Sequence, residues 1–170
     1  MPPAEPPSPA DVAAVSAQLG RPARDVVVVA SRCPCGLPDV VSTAPRLRDG
    51  TPFPTFFYLT CPRLTSAIST LESEGVMAAM QQRLAQDEDL ARQYRQAHDV
   101  YLQERAHHGD VPEIDGVSAG GMPDRVKCLH VLVGQSLAMG PGVNPFGDEA
   151  LAELRRRGVL DRTEPCVEVP

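Results

Sequence analysis

Cysteine sulfurs are the side chains of this sequence whose type and spacing most clearly indicate chemistry. Cys33 and Cys35 stand two residues apart, and Pro34 between them favours an extended backbone that points both sulfurs to one face. Cys61 directly precedes Pro62, which is typical of a helix start, so Cys61 is expected at an N-cap where the helix dipole favours a thiolate. These thiols predict a site suited to a metal.

A fourth sulfur, that of Cys128, is expected early in a helix predicted over residues 123–139. His130 follows two residues later, about 200° around a regular helix, so we exclude it from a site shared with Cys128. Cys166 lies in the C-terminal tail and is not assigned to the site. The sequence therefore predicts one metal site with four ligands: Cys33, Cys35, Cys61 and Cys128.

The occupant of a thiolate site is either zinc or an iron–sulfur cluster. Structural zinc sites usually contain two close cysteine pairs, whereas Cys33 and Cys35 are the one close pair in this chain. Ligands drawn from distant elements fit a cluster, so the pattern favours iron–sulfur over zinc. Two alternatives stay open: redox or nucleophilic chemistry at a thiol, and cysteines that are only small buried hydrophobes.

A histidine and a glycine-rich loop are further candidates, either as groups that surround and orient the metal ligands or as an anion site. His98 falls on the apolar stripe of a predicted helix, where it is a core histidine or an acid/base group facing the cysteines. The loop that enters the 123–139 helix either cradles an anion with backbone N–H groups or forms a turn and a cap. Its residues of interest are Gly120, Gly121, Asp124 and Arg125.

Composition narrows the class of protein. The 170 residues include 22 acidic and 16 basic side chains, for a net charge of -6, which argues against a nucleic-acid-binding surface. The chain has no pattern of a signal peptide, and its apolar stretch over 126–139 is too short to span a bilayer. We therefore expect a cytoplasmic protein without membrane insertion, whose cysteines are reduced.

The elements that must position these side chains follow from periodicity and turn signals. Valine-rich and aromatic runs over 25–31, 39–44 and 55–60 predict a three-stranded antiparallel meander. Helices are predicted over 11–19, 62–74, 77–107 with a break near Asp87, 123–139 and 148–157. The predicted fold class is α+β, a small sheet packed against a helical majority. One domain is predicted over 10–160, with a disordered proline-rich tail over 1–9 and an irregular tail over 161–170.

Five segments carry a recognisable combination of motifs: 32–38, 49–55, 58–62, 118–130 and 140–145. Together they resemble the bacterial, mainly actinobacterial, "domain of unknown function 501" family over about residues 21–160. The resemblance implies a cytoplasmic protein whose gene neighbours those of a septum-formation protein and an exopolyphosphatase-like phosphatase. It carries no activity and no catalytic residues to transfer.

The sequence thus predicts a binding or redox module built on a four-cysteine metal site. One alternative is a partner-binding accessory protein linked to cell division or polyphosphate metabolism, with cysteines that only pack. A second alternative is a thiol-dependent enzyme that uses Cys61 as its nucleophile. Whether the protein is an enzyme is left open by the sequence.

Overall fold

The computed structural model, which describes residues 5–169, contains a three-stranded antiparallel sheet and six α-helices. The strands are β1 (Val26–Arg32), β2 (Pro38–Thr43) and β3 (Phe57–Leu59). The helices are α1 (Pro9–Leu19), α2 (Pro62–Ser73), α3 (Val76–Gln86), α4 (Glu88–Ala106), α5 (Leu129–Met139) and α6 (Pro145–Arg156). Strand order is β1-β2-β3, so the predicted meander and the α+β class are confirmed.

Helices α1 and α5 and the segment before α1 pack against the sheet. Strand β2 is buried at all of its positions, because β1 and β3 flank it and α1 and α5 pack against it. On the free edge of β1, Glu5 exchanges backbone hydrogen bonds with Val29. Ser8 caps α1 in a capping box with Asp11. Residues 1–4 of the predicted disordered tail lie outside the described residues, so that part of the prediction stays a prediction.

The helix boundaries up to α4 follow local signals. Cys61 occupies the N-cap of α2 and Pro62 its first turn, as predicted. Gly75, with φ +82°, separates α2 from α3 in a left-handed conformation that favours glycine. The predicted break near Asp87 is confirmed, because its carboxylate caps α4 by accepting two backbone N–H groups of the first turn.

Helix α5 is the central element, since it contacts all three strands and α6 and is buried at most positions. The predicted start at Pro123 was wrong, because α5 begins at Leu129. The side chain of Gln81 on α3 accepts the Val126 N–H at 2.9 Å, and this tertiary hydrogen bond replaces a helical one. No helix among residues 5–169 is long and apolar enough to cross a membrane.

Two buried side chains on α4 hold the segment that leads into β3. The Tyr101 hydroxyl oxygen accepts the Phe56 N–H at 2.6 Å, in the apolar core. One turn later the Arg105 guanidinium, only 6% exposed, donates to three backbone carbonyl oxygens, those of Pro54, Ile114 and Val117. These contacts fix the position of β3 relative to α4.

Candidate functional site

The cysteines separate into two groups rather than one. A four-thiol cluster contains Cys33, Cys35, Cys61 and Cys166, which are neighbours in pairs: Cys33 beside Cys35 and Cys61, and Cys166 beside Cys35 and Cys61. Cys128 instead meets a histidine and a carboxylate, and we call this second group the Glu72–Cys128–His130 cluster. The tail residue Cys166, which the sequence interpretation set aside, therefore takes the place in the thiol set that was assigned to Cys128.

The Glu72–Cys128–His130 cluster has the spacing of a metal-ligand set. One ligand atom from each side chain lies within 4.8 Å of the other two, and no other group of three or more His, Cys, Asp or Glu residues in residues 5–169 does so. Cys128 Sγ is 3.8 Å from His130 Nδ1, and Nδ1 is 3.3 Å from Glu72 Oε1. All three side chains are half-buried.

The sequence argument that separated His130 from Cys128 was wrong, and the reason is local backbone geometry. It assumed that both residues lie in a regular helix. Cys128 is in fact the N-cap of α5, with an extended backbone at φ -152°. Its side chain can therefore turn back toward the first turn of α5, where His130 lies.

Glu72 enters the cluster from α2 and was missed by the sequence analysis. Its Oε1 accepts the Leu129 N–H at 2.8 Å, so it satisfies a donor at the start of α5 that no N-cap side chain satisfies. Leu71 and Ile68 are buried on the same helix, and Glu72 follows Ile68 by four residues. A carboxylate on the border of a buried helix face was the available sequence signal.

The protonation of His130 follows from its neighbours. Its Nε2 is 3.2 Å from the Thr65 carbonyl oxygen, an acceptor, which places a hydrogen on Nε2. Its Nδ1 then faces the Cys128 thiol and the Glu72 carboxylate. The hydrogen bond with Cys128, opposed by burial and assisted by Glu72, raises the pKa of His130 to about 9. Burial opposes ionisation of Cys128, but the His130 contact and the Val131 N–H hold its pKa below the ordinary thiol value.

A groove open to solvent lies beside this cluster. It has a volume of about 450 Å³ and lies between α1, β3 and the first turns of α2 and α5. Cys128 and His130 form part of its wall, together with polar side chains such as Gln18, Tyr58 and Thr60. A small ligand in the groove would therefore contact the cluster directly.

The four-thiol cluster draws its sulfurs from three separate segments. Cys33 and Cys35 lie in the turn between β1 and β2, Cys61 caps α2, and Cys166 comes from the C-terminal segment. The sulfur of Cys35 interacts with those of Cys33 and Cys166, and Cys166 also interacts with Cys61. The Gln18 amide donates to Cys166 Sγ at 3.3 Å.

The predicted low pKa of Cys61 is not found. Cys61 is fully buried, and the loss of solvation raises the pKa of its thiol to about 12, which outweighs the Leu64 N–H that favours the thiolate. Burial likewise raises the pKa of Cys33 to about 11. The N-cap cysteine with a lowered pKa is Cys128, which is less buried and has an imidazole partner.

Two buried side-chain oxygens near the four-thiol cluster have no hydrogen-bond partner among the described residues. They are Oε1 of Gln18, whose amide nitrogen contacts Cys166, and Oδ1 of Asp39, a β2 residue that interacts electrostatically with Cys33. Burial raises the pKa of Asp39 to about 6, although the Ser31 hydroxyl opposes the rise.

We expect Asp39→Asn to remove a pH-dependent loss of stability. The folded pKa lies above the unfolded value of 3.8, so the wild type loses stability as pH rises through about 6. The free energy of unfolding of the variant relative to wild type should rise by about 2.4 kcal/mol between pH 4 and pH 8. Urea unfolding at several pH values with a chelator present measures this; an unchanged difference would contradict the assignment.

His98 lies away from both clusters. It is buried on α4, its Nδ1 is 2.8 Å from the Ser118 hydroxyl, and burial lowers its pKa. These contacts match the core-histidine alternative, in which a neighbouring side chain satisfies the ring.

The glycine-rich loop forms a tight turn. Gly120 and Gly121 have φ +70° and +93°, and a Cβ on Gly121 would stand 2.6 Å from the Arg125 carbonyl oxygen. Asp124 is exposed and forms an ion pair with Arg95 at 3.1 Å. The helix N-terminus on which the anion-site alternative depended lies further along the chain, at Leu129.

Comparison with known proteins agrees with the motifs. The family model described as "Protein of unknown function (DUF501)" matches residues 29–152, and the chain belongs to this family. No curated protein and no solved structure matches the chain. The matched region contains Cys128 and His130 at the start of α5 as well as Cys33, Cys35 and Cys61. Cys166 lies beyond it.

Proposed function

We propose that this DUF501-family protein is a zinc-binding protein whose functional ion is held by the Glu72–Cys128–His130 cluster. The observation that carries the proposal is the spacing of the three ligand atoms. Tetrahedral zinc with bonds of about 2.3 Å to sulfur and about 2.0–2.1 Å to nitrogen and oxygen separates the ligands by about 3.6 Å (S to N) and about 3.3 Å (N to O). The corresponding distances here are 3.8 Å and 3.3 Å.

Charge supports the same assignment. With a hydrogen on Nε2, the Nδ1 lone pair of His130 points between an ionisable thiol and a carboxylate. Such a position needs a cation, which is either a proton or a metal ion. The Thr65 carbonyl that accepts from Nε2 is the kind of outer partner that orients a zinc-ligating histidine.

The donor set favours zinc over an iron–sulfur cluster at this position. One sulfur, one nitrogen and one oxygen suit Zn²⁺, whereas clusters are bound mainly by thiolates. Three protein ligands leave one coordination position, and Cys128 and His130 face the groove. When bound, zinc would supply Lewis acidity at the groove wall, where the half-buried Tyr58 side chain also lies.

The proposal predicts the loss of one zinc equivalent when any ligand is removed. The variants are Glu72→Gln, which keeps an acceptor for Leu129, Cys128→Ser and His130→Ala. Each should weaken zinc binding at this site by more than about 100-fold. Removal of a residue that only hydrogen-bonds to a metal ligand already lowers metal affinity about 10–100-fold, and these residues are the ligands themselves. The measurement is zinc content after equilibrium dialysis of metal-free full-length protein against buffered zinc.

The matched control is His107→Ala, since His107 is exposed and lies outside the cluster. It should retain the wild-type number of zinc equivalents. Three ligand variants that each retain the wild-type zinc content and affinity would contradict the proposal.

A thiol-dependent enzyme is the second candidate function, with Cys128 in place of Cys61. The favouring observation is position, because Cys128 lines the groove beside an imidazole at 3.8 Å, whereas Cys61 is fully buried. A protein that binds no zinc yet is alkylated by iodoacetamide faster at Cys128 than at the other cysteines would favour this candidate. Zinc that blocks that alkylation would favour the first.

A further inference from the structure

We propose that a pocket between α1 and the sheet binds a small aromatic carboxylate. Helix α1 contributes Val15 and Leu19 to its walls, the sheet contributes Val41 and Tyr58, and the segment before β3 contributes Phe53. These apolar walls are suited to hold the ring of a ligand away from water. The pocket is separate from the proposed zinc site, and this proposal does not depend on the proposed function.

The size of the pocket limits the ligand to one ring. Its volume is about 140 Å³, and an apolar protein cavity of about 150 Å³ holds one benzene molecule. The rings of Phe53 and Tyr58 line the pocket with centroids 6.2 Å apart and planes tilted by 34°. A ligand ring can pack against their faces and edges at the separations of about 4.5–7 Å that aromatic pairs prefer. We therefore expect an aromatic body of about the size of benzene.

Charge at the mouth of the pocket indicates that the ligand is an anion. Arg21 and Arg24 line the pocket with exposed side chains, and neither forms an ion pair with another residue among 5–169. The adjoining surface adds Arg48 and the carboxylates of Asp25 and Asp49, and Asp25 is paired with Arg48 at 3.3 Å. Three guanidiniums thus lie beside two carboxylates, in a chain whose net charge is -6. The local excess of guanidinium favours a carboxylate, which arginine binds through two parallel N–H donors.

Thr43 supplies an unpaired polar group inside the pocket. Its side chain lines the pocket from β2 and is only 7% exposed. Its hydroxyl makes no hydrogen bond with any residue among 5–169 and is not sealed from solvent, so it is open to the pocket. Thr43 pairs with Val26 of β1, and Arg24 precedes Val26 by two residues, so the hydroxyl and the guanidinium lie at the same end of the pocket. A carboxylate at that end can accept from both.

The test is titration of the full-length protein with benzoate, followed through the amide chemical shifts in proton–nitrogen NMR spectra. A chelator is present, so that a metal ion cannot take the carboxylate. Saturable shifts are expected at Val41, Thr43 and Tyr58, with a dissociation constant of about 1 mM or lower. Benzamide, which has the ring without the charge, should bind at least about 10-fold more weakly. Acetate, which has the charge without the ring, should do the same.

Variants at the mouth separate the two parts of the recognition. Arg21→Gln and Arg24→Gln should each weaken benzoate binding about 3- to 10-fold, and the double variant by more than about 10-fold. Thr43→Val should weaken benzoate binding about 3- to 10-fold while the free energy of unfolding does not fall, because the hydroxyl has no protein partner to lose. The matched control is Arg155→Gln on α6, an exposed arginine away from the pocket, which should bind benzoate as wild type does.

The proposed zinc site and the carboxylate pocket can fail separately. Cys128→Ser combined with His130→Ala removes two of the proposed zinc ligands and should leave the affinity for benzoate unchanged. Benzoate without saturable shifts at the pocket, or benzamide bound as tightly as benzoate, would overturn the carboxylate site. Wild-type affinity in the double arginine variant would do so as well.

Discussion

Arg105→Met is expected to lower the free energy of unfolding by about 3–5 kcal/mol. The guanidinium is buried and donates to three backbone carbonyl oxygens, at distances between 2.6 and 3.0 Å, in two separate loops. Methionine fills a similar volume but donates nothing, so all three carbonyl oxygens lose their donor, including that of the buried Ile114. Arg105→Lys keeps the charge but cannot span three acceptors, and an intermediate loss is expected.

The matched control is Arg92→Met on the exposed face of the same helix. Its ion pair with Asp89 is at the surface and should contribute less than about 1 kcal/mol. Urea unfolding with a chelator present compares the variants. Because Arg105 holds Pro54, which precedes the groove residues Thr55 and Phe57, the variant should also weaken zinc binding at the groove cluster. Equal stability of the two methionine variants would contradict this account.

Gly147→Ala is expected to destabilise the protein by about 3 kcal/mol, because at Gly147 the backbone of α6 packs directly against α5 with no space for a side chain. A Cβ on Gly147 would overlap the Leu132 carbonyl oxygen and the Ser136 hydroxyl of α5. The carbonyl belongs to the backbone and cannot rotate away. Helix α6 would have to move outward, and the Asn144 side chain that caps it through the Gly147 N–H would move with it.

Gly134→Ala in α5 is the matched control, since both glycines are helical. A Cβ there would lie 3.2 Å from the Phe57 carbonyl oxygen, a contact that a small shift relieves. Alanine also gains roughly 1 kcal/mol of helix propensity over glycine, so this variant should remain within about 1 kcal/mol of wild type. Thermal and urea unfolding measure both. If Gly147→Ala were no less stable than Gly134→Ala, the close packing of the two helices would not be the reason for glycine.

Most of the fold could be predicted because its signals are local. A run of four valines marks β1, Pro62 marks the start of α2, and Gly75 and Asp87 divide the helical segment where the structure divides it. The start of α5 could not be predicted in this way. Before α5, the Val126 N–H donates to the side chain of Gln81 on α3, and the first N–H of α5 donates to Glu72 on α2.

For the candidate site, the sequence by itself determined the paired sulfurs of Cys33 and Cys35 and the N-cap position of Cys61, since spacing and a following proline are properties of adjacent residues. Tertiary structure alone decided the other partners. It placed Cys166, from the C-terminal segment, beside Cys35, and it placed Cys128 beside His130 and Glu72. The physical reason is that one extended residue at a helix start redirects a side chain, and that contacts between distant segments leave no periodic trace in the sequence.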